Sequence, residues 1–165
     1  MQKVSLQERS TSICYTEREN EDILHFSLQG ALPPGHLLTL NMVLGTLSAL
    51  SFNDEQPRLV MQQQFSGSEL SLLRPLLESF PQYCPYEQMF ASFYNNDVTE
   101  SIVAHWRQHL QEAREEGIWE HEMKPIRNVL SRVRLKLRKF GIHISSVLEI
   151  GYILMVVSTP GPGEE

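Results

Sequence analysis

Residues 125–140 read PIRNVLSRVRLKLRKF, from Pro125 to Phe140. Ile126, Leu130, Val133, Leu137 and Phe140 are spaced by 4, 3, 4 and 3 residues, which aligns them on one stripe of an α-helix. At about 100° per residue, Arg127, Asn128, Ser131, Arg132, Leu135, Arg138 and Lys139 fall on the opposite half. Arg134 and Lys136 flank the stripe, one on each side. The spacing predicts a helix that starts near Pro125, a good first helical position, and stops at Gly141. Such a helix can be fastened to a core by its stripe while offering a basic face outward.

The charge distribution marks the same stretch. The chain has 165 residues and a net charge of −6, which by itself argues against a general nucleic-acid binder. Yet 7 of its 14 Lys and Arg lie between Lys124 and Lys139, and no acidic residue occurs from Met123 to Leu148. Residues 1–123 carry 7 basic and 17 acidic groups, whereas residues 124–165 carry 7 basic and 3 acidic. A split this sharp concerns partners rather than fold. An α-helix fits the major groove of B-form DNA, where Arg reaches guanine bidentately and Asn does the same with adenine. Arg127, Asn128, Ser131 and Arg134 form a chemically adequate reading set, and flanking cations can neutralise phosphates. The same face could also serve as an ordinary solvated surface, or cover an acidic partner or the acidic part of its own chain.

Working outward, Ile142–Ser146 and Ile150–Val157 read as two strands joined by a turn, directly after the helix. Upstream, Ser66-Gly67-Ser68-Glu69 has the form of a capping box, with Phe65 and Leu70 as its hydrophobic staple. Leu70, Leu73, Leu76, Leu77 and Phe80 continue at helical spacing, with a kink or break expected at Pro75 and a stop at Pro81. A short helix begins at Pro85 and turns Met89, Phe90 and Phe93 inward. A further helix runs from about Val98 to Glu116, capped by Asp97 or Thr99 and stopped by Gly117. Nearer the N-terminus, Ile23–Leu28 suggests a strand, GALPPG at 30–35 a turn, and Leu37–Leu50 a helix weakened by Gly45. Arg58–Gln63 suggests a short strand, and residues 1–22 read as loose.

From Phe65 to Leu154 the order and spacing of these pieces resemble the effector domain of OmpR/PhoB-type response regulators. That family opens its first helix with Leu-Thr-x-x-Glu-x-x-Leu-Leu, and here Phe65 to Leu73 reads FSGSELSLL. Its recognition helix reads roughly VDVHISRLRKKL, and here Ile126 to Leu137 reads IRNVLSRVRLKL. Its wing ends in VRGVGYRL, and here Val147 to Leu154 reads VLEIGYIL. The resemblance implies a winged helix-turn-helix with a small N-terminal β-sheet, which Arg58–Gln63 would begin. It implies base contacts from Asn128, Ser131, Arg132 and Arg134, with Lys124 and Arg127 nearer the backbone. Several positions depart from the family. Its wing Arg is Leu148 here, its first wing Gly is Glu149, and the Arg after Tyr is Ile153. The segment before the recognition helix is about thirty residues, longer than in the family, and holds an additional helix where relatives approach RNA polymerase. The phosphorylated receiver domain has no counterpart in the N-terminal residues.

Other signals are weaker. His105, His109 and Glu112 share one helical face, as a metal site would need, but no fourth ligand is evident and solvated surface residues are expected. His121-Glu122 has no partner pattern, Ser66 and Ser68 read as caps, and Trp106 and Trp119 as core or interface anchors. Cys14 and Cys84 form no CxxC pattern. No phosphate-binding loop, dinucleotide fingerprint or paired-carboxylate pattern appears, so neither an enzyme nor a cofactor is expected. The apolar-leaning run Leu37–Phe52 is too short and polar to span a membrane, and no signal core precedes it, which points to a soluble cytoplasmic protein.

The expected organisation is therefore α+β: an N-terminal extension at 1–57, partly ordered, a winged helix-turn-helix domain at 58–157 with an extra helix inserted before the recognition helix, and a flexible tail at 158–165. The expected function is a DNA-binding transcriptional regulator acting on double-stranded DNA. Its site is Lys124, Arg127, Asn128, Ser131, Arg132, Arg134, Arg138 and Lys139. A homodimer is expected because one module covers a short half-site. Residues 95–120 would meet RNA polymerase or another protein. The alternative is a winged-helix protein-interaction module with little DNA binding.

Overall fold

A computed structural model describes residues 22–157. The loose segment expected at 1–22, save its last residue, lies outside the described residues, as do Cys14 and the expected tail at 158–165. The chain is mixed α+β. Four strands, β1 (Ile23–Phe26), β2 (His36–Asn41), β3 (Thr46–Ser51) and β4 (Arg58–Gln64), form an antiparallel sheet in chain order. This corrects two expectations. Leu37–Leu50 is a hairpin rather than a helix, with Leu38 opposite Ala49 and Leu40 opposite Leu47. The sheet expected to begin at Arg58 ends there instead. Residues 23–57 supply three of its four strands, and the expected boundary at 57 falls within the β3–β4 connection.

The physical reason lies in burial and in one glycine. Leu38, Leu40 and Leu47 are at most 1% exposed, and their alternation with less buried neighbours is the period-2 pattern of a strand. Leucine favours a helix intrinsically, but packing on the common core overrides a preference of a few tenths of a kcal/mol. Gly45 sits at the turn with φ +72°, and a Cβ there would lie 2.8 Å from the Phe65 carbonyl oxygen. The Asn41 side chain accepts from the amides of Val43 and Leu44 and closes the turn.

Helix α1 (Gly67–Ser79) starts at the expected capping box. Ser66 Oγ accepts from the Glu69 amide at 3.3 Å, and Glu69 Oε1 accepts from the Ser66 amide at 2.7 Å. Phe65 and Leu70 are both buried. Of the kink or break expected at Pro75, the break does not occur, and the helix runs through it. The Ser71 carbonyl, which Pro75 deprives of its helical donor, accepts from Ser92 Oγ instead. Helix α2 (Tyr86–Phe90) begins after Pro85 and widens into a π turn at Ala91–Asn95, ended by Asn96 at φ 52°. Helix α3 (Glu100–Glu116) stops at Gly117, as expected.

Helix α4 (Trp119–Leu137) starts six residues before Pro125, a second correction to the expected boundaries. Pro125 lacks the amide that would bond His121, but both residues are exposed and water can replace that bond. A short 3₁₀ turn, Arg138–Phe140, carries the chain to Gly141. Strands β6 (Ile142–Val147) and β7 (Gly151–Val156) form the expected hairpin, and β5 (Cys84–Pro85) adds to the outer edge of β7. Gly151 permits that pairing, since a Cβ there would sit 2.2 Å from the Cys84 carbonyl oxygen.

Candidate nucleic-acid interface

The site is built on α4, and its burial pattern positions everything else. Met123, Ile126, Leu130, Val133 and Leu137 are fully buried, and Val129 nearly so. Phe140, the expected end of the stripe, is only half-buried. Opposite them, Lys124, Asn128, Ser131, Arg132, Leu135, Arg138 and Lys139 are exposed. The outward face therefore follows the helical period read in the sequence.

Individual side chains divide sharply. Lys124, Asn128 and Arg138 are exposed. Ser131 donates its hydroxyl to the Arg127 carbonyl at 2.9 Å. Arg127 is held by both carboxylate oxygens of Glu120, two turns earlier on the same helix. That bond lowers the Glu120 carboxyl below its ordinary value and raises the Arg127 guanidinium. The pair is exposed, so salt and a competing phosphate can exchange it. Lys139 donates to Gln63 Oε1 at 2.7 Å and ties the end of the helical segment to β4.

Arg134 is the exception among the expected base contacts. It is partly buried, its Nε donates to the Ile144 carbonyl at 3.3 Å, and its guanidinium lies 5.6 Å from the Tyr152 ring centre. The structure thus turns it toward the β6–β7 hairpin, away from the outward face. The reason is its helical phase: it flanks the apolar stripe, and a long cationic side chain there can lie across the neighbouring strand.

The second flank carries a buried anion whose place in the sequence marks it only as a cap. Glu69 is 1% exposed. Its Oε1 accepts from Lys136 Nζ at 2.6 Å, across 67 residues of chain, and its Oε2 lies 3.7 Å from Arg132 Nε. Oε2 has no hydrogen bond. Burial pushes the Glu69 carboxyl upward, but the bonds from Lys136 and from Ser66 outweigh it and hold the group below its ordinary value. One carboxylate therefore caps α1 and anchors Lys136 of α4, with Arg132 nearby but not hydrogen-bonded to it.

Behind the hairpin, Arg114 of α3 donates to the Glu149 carbonyl and stacks over Trp119 at 4.2 Å. The tip holds Leu148 and Glu149 at φ 34° and 66°, and Leu148 is 90% exposed. The tip is thus apolar and acidic. His105 and His109 do not gather a metal set: His109 Nε2 is 3.2 Å from Glu122 Oε2, and no cluster among the described residues could hold an ion. Trp106 donates to Asn95 Oδ1 at 2.7 Å, and Trp119 packs on Tyr86, so both are anchors between helices. No helix among the described residues is long and apolar enough to cross a membrane.

No protein-family model matches the sequence, and no curated protein matches it. The chemistry of the site therefore rests on the geometry alone.

Proposed function

We propose that the chain is a winged helix-turn-helix transcriptional regulator that seats α4 in the major groove of double-stranded DNA. The observation that carries this reading is the outward face of α4. It is acid-free from Met123 onward and, with the 3₁₀ turn that follows, exposes Lys124, Asn128, Ser131, Arg132, Arg138 and Lys139. The order of α1, α2 and α4 followed by a hairpin agrees with the winged-helix arrangement, with α3 as the inserted element. Lys124, Arg138 and Lys139 serve phosphates, while Asn128, Ser131 and Arg132 face base edges. Arg127 joins the phosphate set when Glu120 releases it. A homodimer fits, because a single helix reads a short half-site. On this reading the protein is cytoplasmic, has no catalytic role, and uses residues 95–120 against RNA polymerase or another protein.

The test is retention of random genomic duplex fragments at low and moderate salt, followed by sequencing. A shared motif is expected, with affinity falling steeply as salt rises. If Lys124, Arg127, Arg138 and Lys139 each neutralise a phosphate, log affinity falls against log salt with a slope of about −3.6. Absence of retention at low salt would end the proposal.

A second reading, a winged-helix protein-interaction module, is favoured by the hairpin tip alone. Leu148 is exposed there and Glu149 would repel phosphate. Native mass and pull-down separate the two: a stable monomer without a protein partner counts against the module.

A further inference from the structure

Leu135 lies in the middle of the basic face and is 59% exposed. A single exposed leucine is ordinary on a protein surface. This one is framed by Arg132 one turn before it and by Arg138 in the 3₁₀ turn that follows, with Asn128 two turns before it. It is the one large apolar side chain of α4 that the fold leaves this open. Resting on the DNA-binding reading above, we propose that Leu135 recognises a thymine by its C5-methyl group, and that Asn128 meets an adenine about three base pairs away.

The chemistry selects that occupant. The cationic frame suits a polyanion, and the apolar feature of the major groove is the thymine methyl, which cytosine lacks. Leucine offers no hydrogen bond, so it gains only where an apolar group covers it and loses where a bare polar edge faces it. Geometry sets the spacing. Seven residues of helix rise about 10 Å, and base pairs follow each other every 3.4 Å along duplex DNA. A helix lying along the groove therefore separates the two contacts by about three base pairs. Arg132 lies between them and faces the intervening step.

The experiment uses the full chain and a duplex enriched from a random-sequence pool. Each thymine of that duplex is replaced in turn by deoxyuridine, which removes only the methyl, and affinity is measured by fluorescence anisotropy. One replacement is expected to weaken wild-type binding about fourfold, the loss of one buried methyl. Leu135→Ala should bind the unmodified duplex more weakly by a similar factor and be indifferent to that replacement. Leu135 is exposed, so the variant should keep the wild-type circular dichroism and melting temperature. Wild-type binding unaffected by every replacement, or a Leu135→Ala variant that keeps the uracil penalty, overturns the assignment and leaves DNA binding standing. A pool from which nothing is enriched at any salt overturns both.

Discussion

Single residues decide what the α4 face presents. Arg132 and Arg134 carry the same guanidinium, but Arg134 flanks the apolar stripe, and the fold sends Arg132 outward and Arg134 onto the hairpin. Arg132→Ala should weaken DNA binding about tenfold with little change in melting temperature. Arg134→Ala should do the reverse: it removes a bond to the Ile144 carbonyl and lowers stability by about 1 kcal/mol. Anisotropy titration and urea unfolding of the two variants check this pair, and equal loss of binding would return Arg134 to the interface. Backbone constraints act at the same scale. Glu149 holds φ 66°, so Glu149→Gly should raise stability by up to about 1 kcal/mol, read as a higher urea midpoint. Gly151→Ala should lower it by about 2–3 kcal/mol, because the new methyl meets the Cys84 carbonyl.

Elements are joined by the Glu69 carboxylate. It ends α1 as a cap and holds Lys136 of α4, so helix position and helix capping depend on one ionised group. Lys136→Ala leaves that buried carboxylate with a distant Arg132 only, and should lower stability by about 2 kcal/mol. The pH dependence has a definite sign. The folded value of Glu69 lies below its ordinary 4.5, so its contribution is complete above pH 4.5 and is lost as pH falls toward the folded value. Urea midpoints measured from pH 6 down to pH 3 should fall more steeply in the wild type than in Glu69→Gln. Parallel curves would show that the carboxylate carries no such linkage. The capping box was legible in the sequence because it is local: four consecutive residues specify it. The ion pair was not, because its partner lies 67 residues away and no local period points to it.

At the scale of the whole molecule, the first sheet, built from β1 to β4, belongs to the same core as α4. Leu38, Leu40 and Leu47 join the cluster that holds Leu73, Leu130 and Val133. Burying each leucine contributes about 2 kcal/mol, which is large against a total stability of about 5–15 kcal/mol. A fragment comprising residues 58–157 should therefore lack a cooperative unfolding transition, as followed by near-ultraviolet circular dichroism on heating. A sharp transition near that of the full chain would restore residues 1–57 as a dispensable extension. Charge also acts globally. The acidic groups of the body keep the net charge negative and oppose approach to DNA, so binding rests on the basic face, whose phosphate contacts should make affinity fall as salt rises.

Residue patterns alone determined the two-faced character of residues 126–137, the cap at Ser66, the stop at Gly117 and the closing hairpin. Each is a short-range feature in which side-chain type and spacing specify geometry directly. Tertiary structure decided the rest. It made Leu37–Leu50 a hairpin, because burial on a shared core outweighs helix propensity. It let α1 pass through Pro75, because Ser92 supplies the missing donor. It turned Arg134 to the hairpin and Lys136 to Glu69, because a flanking cation is committed only when another element packs beside it.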